Sequence, residues 1–145
     1  MNGALKDAPP GCAFNATVLA CSAALLTLLP VAAHQLGCLD HVPDPPGKVF
    51  ASDKITESAA AHPLGIPDSL LGLGSYGLTL ALALNAERSP KARRALTLKL
   101  LVDGSIASFN VVRQVVVFRR LCSWCMGTAL CTVAMIVSER ATIRH

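Results

Sequence analysis

Four apolar stretches, each about as long as a bilayer is thick, constrain this chain more than any other feature of its sequence. They cover residues 12–33, 66–86, 95–118 and 121–137. A helix of about 20 apolar residues spans the hydrocarbon core of a membrane. The chain also lacks polar residues to cover a water-facing surface, since 52% of it is hydrophobic and only 15% is charged. The sequence therefore predicts an all-α integral membrane protein, a four-helix bundle, rather than a very apolar soluble helical protein.

The segment from residue 34 to 65 separates the first two apolar stretches and contains the proline-rich sequence "HVPDPPG". Proline and glycine favour turns, so this segment is predicted to be a long loop outside the bundle. We interpret residues 1–145 as one membrane domain. One alternative stays open for the first stretch, because "VAA" before His34 is similar to the site at which a signal peptide is cleaved.

Positive charges predict how the chain is oriented. The segment "ERSPKARRALTLK", between the second and third stretches, holds the basic residues Arg88, Lys91, Arg93, Arg94 and Lys99. Because basic residues mark the cytoplasmic side, both termini are predicted to be cytoplasmic and the 34–65 loop to lie on the outer side. Arg119 and Arg120 are exceptions, since this orientation places them outside. The net charge of +4 is thus explained by the orientation of the chain in the membrane. No nucleic-acid partner is predicted.

Polar residues interrupt the third stretch at four positions: Lys99, Asp103, Asn110 and Arg113. Their spacing places them along one helical face, which would point into a bundle because a charge facing lipid is costly. Lys99 and Asp103 are predicted to form a structural ion pair. For Asn110 and Arg113, near the level of the fourth stretch's beginning, a part in a functional site stays open.

Two cysteines spaced as CxxC begin the fourth stretch, in the sequence "RRLCSWCMGTAL". The orientation places Cys122 and Cys125 in the first helical turn at the outer side, where thiol oxidation takes place. The helix N-terminus and the charges of Arg119 and Arg120 favour a thiolate there. We therefore expect a reversible disulfide, and a lowered pKa for the more exposed thiol, which we expect to be Cys122.

Other chemistries of a CxxC have weaker support. A zinc site could be completed by His34, Cys38 and His41, but this spacing matches no known zinc module. Covalent haem attachment needs a histidine directly after the motif, and Met126 stands there. Two inert core thiols remain an alternative for the pair, and no metal site is predicted. The inert interpretation is preferred for the cysteines inside the stretches, which are Cys12, Cys21 and Cys131.

These features together resemble the vitamin K epoxide reductase family, the quinone-linked thiol oxidoreductases of endoplasmic reticulum and bacterial membranes. Besides four spans with "CSWC" opening the last, Cys38 in "LGCLD" follows the first span and "GIPDSLLGLGSYG" begins the second. Ser52 and Ser58 lie in the loop where the family has a serine or threonine. The resemblance extends from about residue 12 to residue 138.

The resemblance implies a helical bundle around a quinone pocket, for ubiquinone or menaquinone, at the outer face of a bacterial inner membrane. It implies that Cys125 works next to the quinone and that Cys122 exchanges with the loop cysteine, Cys38. A soluble thioredoxin-like protein on the outer face would supply the electrons. The other implied neighbours of the protein are membrane lipids.

The resemblance also names candidate quinone-binding residues. Asp68 takes the place of an asparagine that often hydrogen-bonds a quinone carbonyl, and an aspartate can donate there only when protonated. A helix N-cap is the alternative role for Asp68. Ser52 and Ser58 are candidates as the conserved loop serine. Trp124, between the two thiols, is either an interfacial anchor or a stacking partner for the quinone ring.

The loop departs from the family pattern, because members usually carry two loop cysteines and this chain carries only Cys38. Depending on the alignment, Pro46 or Ser52 stands at the second cysteine's position. The leading hypothesis is a quinone-dependent thiol–disulfide oxidoreductase. The incomplete relay keeps open a non-catalytic membrane accessory or maturation protein on the same scaffold, and the polar face of the third stretch is the sole hint of a small transporter.

Overall fold

The structure is a computed structural model that describes residues 10–144, with only the backbone described for residues 10–13 and 15. The predicted inert role of Cys12 concerns a side chain outside the described part. The described chain is helical, with a single isolated bridge between Phe50 and Leu121. Its α-helices are α1 (Pro10–Gln35), α2 (Ser52–Thr56), α3 (Asp68–Asn85), α4 (Pro90–Arg113) and α5 (Ser123–Ile143).

The predicted all-α class is confirmed, but the helix bounds differ from the apolar stretches. Helix α4 begins at Pro90 instead of residue 95, because Ser89 caps it by accepting a hydrogen bond from the Ala92 N–H at 3.3 Å. Proline at the first helical position suits such a start, since its missing N–H would have no helical partner. Helix α5 continues past residue 137 to Ile143. Capping residues determine where a helix begins and ends, whereas an apolar stretch marks only the part that is suited to lie in lipid.

Within residues 10–144, three helical segments are long and apolar enough to cross a membrane: Ala16–Gln35, Pro90–Phe118 and Ser123–Ile143. Pro90–Phe118 combines α4 with the π-helical turn Gln114–Phe118 that follows it. The second predicted span forms α3, which has 18 residues but begins at Asp68 and ends at Asn85. Helix α3 is not among the three segments found in the described residues, and its crossing of the membrane stays a prediction.

The four long helices, α1, α3, α4 and α5, pack around a shared core. Helix α1 packs against α3 and α5, and α4 packs against the same two helices. Helices α4 and α5 approach closely at Gly104, where an added Cβ would lie 2.8 Å from Ile136 Cδ1. Large apolar side chains remain exposed on the outside of the bundle, including Leu19, Leu26, Leu98, Phe109 and Leu130. An exposed apolar surface of this kind suits contact with lipid.

The middle of the bundle contains the predicted Lys99–Asp103 ion pair, which is confirmed with a distance of 2.5 Å from Nζ to Oδ1. Two hydroxyls of α3 complete it: Lys99 donates to Ser75 Oγ at 2.6 Å, and Thr79 donates to Asp103 Oδ2 at 2.9 Å. Near the other end of α5, Arg93 forms a second pair with Glu139 at 2.9 Å. Pairing makes such charges tolerable inside an apolar bundle.

Candidate active site at the CxxC motif

The CxxC forms the N-terminus of α5, as the sequence predicted. Cys122 is the N-cap residue, with extended backbone angles, and its sulfur accepts the Cys125 N–H at 3.2 Å. The sulfur thus fills the place of the oxygen that a serine or aspartate cap would supply. Both cysteines are free thiols in this structure. The two groups are therefore held together in one helical turn, ready to form a disulfide.

The exposure of the two thiols is the reverse of the prediction. Cys122 is fully buried, whereas Cys125 is partly exposed. Val31 and Ile55 pack against Cys122 and shield it from the side of α1 and α2. The expectation that Cys122 is the more accessible thiol is wrong, because the loop folds back over the beginning of α5.

The pKa of the Cys122 thiol is lowered, in the predicted direction. The largest cause is the hydrogen bond that the Cys125 thiol donates to the Cys122 sulfur, while burial opposes the shift. The two arginines before the motif are not among the main groups that act on this thiol. Arg119 is exposed and turns the chain with a left-handed backbone, φ 50°. Arg119 and Arg120 are next to the motif in the sequence, but they are not the groups that lower the pKa of Cys122.

Part of the predicted outer loop lies directly on the CxxC turn, and we call residues 42–53 the lid. A short parallel bridge attaches it: the Leu121 N–H donates to Val49 O and the Ala51 N–H donates to Leu121 O, both at 2.9 Å. The Trp124 indole N–H donates to Pro43 O at 2.6 Å. Trp124 therefore holds the lid in this structure, and its predicted contact with a quinone or an interface stays a prediction.

Asp44 links the lid to α5 most directly. Its carboxylate accepts the Ser52 hydroxyl and the Ser123 hydroxyl, each at 2.6 Å, and the Ser52 N–H at 2.8 Å. The Ser123 N–H in turn donates to Ser52 Oγ at 3.2 Å. Burial alone would raise the pKa of Asp44, but the hydrogen bonds from Ser123 and Ser52 outweigh it and lower the pKa.

Asp44 and Ser123 were missed by the sequence reasoning, which assigned no role to either. The available signal was weak: an aspartate between two prolines in the loop, and a serine inside the CxxC. Of the two loop serines that were named, Ser52 is brought to the CxxC turn. Ser58 donates instead to Ile55 O at 2.6 Å, at the end of α2, and no described hydrogen bond links it to either thiol.

Gln114, also missed, lies at the junction of α4 and the π-helical turn and is buried. Its Oε1 accepts the Cys122 N–H at 2.9 Å. A glutamine within the apolar sequence "VVRQVVVF" was the signal that could have identified it. A buried amide at such a position needs a hydrogen-bonding partner, and the nearest one here is the CxxC backbone.

Asp68 lies near the partly exposed thiol. Its Oδ1 accepts the Gln35 side-chain N–H at 3.0 Å, and its charge acts on Cys125. Gln35 also donates to Thr56 O at 3.0 Å, so it connects α1, α2 and α3 at this end of the bundle. The alternative role of Asp68 as a helix N-cap is wrong, because Pro67 occupies the cap position and makes no side-chain cap bond.

Cys38 lies beyond the end of α1, after Gly37, which ends the helix with φ 77°. The Cys38 side chain is exposed. No hydrogen bond or disulfide of the described residues joins it to Cys122 or Cys125. Its predicted exchange with Cys122 stays a prediction, and such an exchange would require Cys122, which is fully buried, to become accessible.

The histidines of the alternative zinc site have other partners. His34 is buried, bonded through Nδ1 to Leu39 O at 3.0 Å, with Nε2 lying 3.3 Å from Glu57. His41 Nδ1 lies 3.0 Å from Asp53 Oδ2. Among residues 10–144, as far as side chains are described, no group of three or more histidine, cysteine or acidic residues is arranged for a metal ion.

A model of the vitamin K epoxide reductase family matches residues 11–139, nearly the whole chain. The chain belongs to the vitamin K epoxide reductase family. No curated protein matches it. Membership in this family makes the chain a relative of membrane thiol oxidoreductases that are linked in general to quinones, and it implies oxidoreductase activity. Together with three helices of sufficient length and apolarity, it indicates an integral membrane protein.

Proposed function

We propose that this chain oxidises protein thiols and passes their electrons through Cys122 and Cys125 to a membrane quinone. In the first half of the cycle, two thiols of a reduced protein become a disulfide while the Cys122–Cys125 disulfide becomes two thiols. In the second half, the two thiols return to a disulfide and release two electrons and two protons. The quinone accepts both and leaves as the quinol. The balance is complete without a metal ion or an external proton.

The observation that carries this proposal is the different exposure of the two thiols. Cys122 is fully buried and carries the lowered pKa, whereas Cys125 is partly exposed on the first turn of an apolar helix. A hydrophobic electron acceptor in the membrane could therefore reach Cys125 first. Asp68, which acts on Cys125, borders the same place.

The residues around Cys125 fit a quinone in part. Asp68 accepts from Gln35 with one oxygen, so its Oδ2 is the atom available to a ligand. A hydrogen bond from Oδ2 to a quinone carbonyl requires a proton on that oxygen. Trp124 lies on the same turn, although its N–H is used by Pro43. We therefore assign the position next to Cys125 to the quinone and assign no donor to its second carbonyl.

We place the CxxC at the outer face of a bacterial inner membrane, with both termini in the cytoplasm. The basic residues support this orientation, because Arg93 pairs with Glu139 far along α5 from the CxxC. A thioredoxin-like protein on the outer side is the proposed electron donor. Cys38, which is exposed, is its proposed point of attack.

One observation favours a second function, a non-catalytic membrane accessory protein. The loop has a single cysteine, and Cys122 is fully buried, so no thiol relay is complete in this conformation. Such a protein would keep the bundle and the lid but would not cycle between thiol and disulfide.

The two functions are separated by thiol trapping on membranes, with and without added ubiquinone or menaquinone. A maleimide reagent of high mass counts the reduced cysteines of each variant. We expect quinone to remove two modifiable thiols from the wild type and from Cys131→Ala, a control on the same helix. Cys122→Ser and Cys125→Ala should show no quinone-dependent loss. Thiols that stay reduced in the wild type with either quinone would leave the accessory function as the conclusion.

A further inference from the structure

The residues on either side of Cys122 form a short strand edge that the lid occupies. In an extended chain, the hydrogen-bonding groups of successive residues point to opposite sides. The Cys122 N–H points into the bundle, where it donates to Gln114 Oε1 at 2.9 Å. The backbone groups of Leu121 and Ser123 point the other way and meet the lid. This outer edge is therefore the side from which another chain can approach the backbone of the motif.

The lid fills the edge with the hydrogen bonds of a parallel strand pair. The Leu121 N–H donates to Val49 O, and Leu121 O accepts the Ala51 N–H, both at 2.9 Å. Both bonds use main-chain atoms alone, so they require an extended partner but no particular side chain. Proteins commonly bind extended peptides in this way, by adding the peptide as a strand to an exposed edge. The edge would therefore accept an extended segment of another protein if the lid moved away.

Ser52 shows where a side chain at the end of such a segment lies. It follows the paired residues directly and is fully buried, and its Oγ accepts the Ser123 N–H at 3.2 Å. Ser123 comes directly after Cys122 and begins α5. A cysteine in the place of Ser52, on a segment that occupied the same edge, would thus bring its thiol to the turn that holds the CxxC.

The burial of Cys122 makes a displacement necessary. Its side chain is fully buried, and Val31 and Ile55 pack against it. Ile55 belongs to α2, which begins at Ser52, directly after the paired part of the lid. A movement of the lid away from Leu121 therefore acts on one of the side chains that cover the sulfur.

We propose that the protein substrate docks as an extended, thiol-bearing segment that takes the place of residues 49–52 along Leu121. The lid is then an internal stand-in for the substrate, and it leaves the edge before exchange begins. The inference rests on the proposed function, in which the CxxC oxidises protein thiols. It adds a docking surface that leads directly to Cys122, besides the attack on Cys38 proposed above.

The exchange that follows docking is balanced. The substrate thiolate attacks the Cys122 sulfur of the Cys122–Cys125 disulfide, so that a substrate–Cys122 bond forms and Cys125 leaves as a thiolate. A second substrate thiolate then attacks the first substrate sulfur and releases Cys122 as a thiolate. The substrate loses two electrons and two protons, and the two cysteines of the motif take them up.

The test uses a synthetic peptide with the sequence of residues 47–54 that carries Ser52→Cys. Its thiol is activated as a thiopyridyl disulfide, so that Cys122 attacks the peptide sulfur and thiopyridone leaves. The full-length chain in detergent carries Cys38→Ala and Cys125→Ala. The measured quantity is the rate at which the peptide becomes attached to Cys122, which mass spectrometry distinguishes from attachment to the other cysteines.

Two methylated peptides separate docking at the edge from a simple reaction of thiols. N-methylation at the position of Ala51 removes the donor to Leu121 O. It should slow attachment about fivefold, as expected for the loss of one hydrogen bond. N-methylation at the position of Phe50 is the matched control, because none of the described hydrogen bonds uses that N–H. This peptide should react at the rate of the unmethylated one.

The lid should compete with the peptide for the edge. Asp44→Ala removes the acceptor of the hydrogen bonds from Ser52 and Ser123, which hold the lid to α5. In that variant the peptide should become attached to Cys122 at least about fivefold faster. Asp40→Ala, an exposed position in the same loop, should leave the rate unchanged.

Three results would overturn the inference: equal rates for the two methylated peptides, no acceleration in folded Asp44→Ala, or no attachment to Cys122 at all. Each would mean that the peptide does not take the place of the lid along Leu121. Should Asp44→Ala fail to accumulate as folded protein, the two methylated peptides decide alone. The measurement needs no quinone, so attachment that depends on the Ala51 N–H, in a protein that quinone does not oxidise, would contradict the proposed function and leave the docking surface established.

Discussion

The middle of the bundle and its CxxC end both bury polar side chains, but they hold them in different ways. In the middle, the Lys99–Asp103 pair of α4 forms hydrogen bonds with hydroxyls of α3, so these hydrogen bonds join two packed helices. At the CxxC end, Asp44 joins a loop to a helix end. Contacts between helices can be broken only if the bundle separates. Contacts between the lid and α5 can be broken while the bundle stays intact, so this end is the one that can open.

The largest expected effect is in the middle of the bundle. Asp103→Ala leaves the Lys99 ammonium without its carboxylate and should lower the free energy of unfolding by about 3–5 kcal/mol. Titration of the detergent-solubilised protein with a denaturing detergent measures this loss. The double variant Lys99→Met/Asp103→Leu should recover most of it, because no buried charge remains. A single variant as stable as the wild type would show that the pair is not structural.

A smaller effect, confined to the lid, is expected from Asp44→Ala. The change removes the acceptor of three hydrogen bonds from Ser52 and Ser123 and should cost about 1–3 kcal/mol. Because each 1.4 kcal/mol is a factor of about ten in an equilibrium, Cys122 should be alkylated about 5- to 140-fold faster through lid opening.

Asp40→Ala is the matched control for this variant, since Asp40 is exposed in the same loop and has no described hydrogen bond. Its Cys122 should react at the wild-type rate. If Asp44→Ala also left that rate unchanged while the protein stayed folded, the lid would not depend on Asp44, and the contrast between the two regions would fail.

The smallest effect is expected from acid, which removes the charge of Asp44 but leaves its side chain in place. The pKa of Asp44 is lowered in the attached lid, so its contribution to stability is present above the ordinary value of 3.8. That contribution is lost as the pH falls through the lower, folded value. Trp124 is the single tryptophan, and its N–H is bonded to the lid, so its fluorescence should change in this range.

Asp53 provides the comparison for the acid experiment. Burial would raise its pKa, but bonds from the Val42 N–H and from His41 lower it. The fluorescence transition should therefore persist in Asp53→Asn and be reduced in Asp44→Asn. A transition of the same size in both variants would assign the acid sensitivity to another group.

Much of the fold could be predicted because it depends on local pattern. The length of the apolar stretches indicates helices, and spacing by four residues brings Lys99 to Asp103. Helix α4 begins before the third apolar stretch, because its cap at Ser89 and its first residue, Pro90, lie outside that stretch. The position of the CxxC was predicted correctly, because the end of a helix depends on the residues next to it.

The surroundings of the CxxC could be predicted only in part, because they depend on how distant segments meet. Asp44 and Ser123 are 79 residues apart, and no periodicity relates them. Gln114 reaches Cys122 only because the chain reverses at Arg119. The same reversal explains why the arginine charges, although adjacent in sequence, are not the main influence on the thiol. The hydropathy pattern predicts neither the contact between Asp44 and Ser123 nor the reversal at Arg119.

In the proposed cycle, the sulfur of Cys122 is both a reactant and the cap of α5, and these two roles compete. A thiolate is a good acceptor for the Cys125 N–H, whereas a sulfur in a disulfide carries no charge and accepts weakly. Each oxidation of the pair therefore removes support from the first helical turn, and each reduction restores it. That turn includes Ser123, to which the lid is attached through Asp44. The redox state of the two cysteines would thus change how firmly the lid is attached to α5.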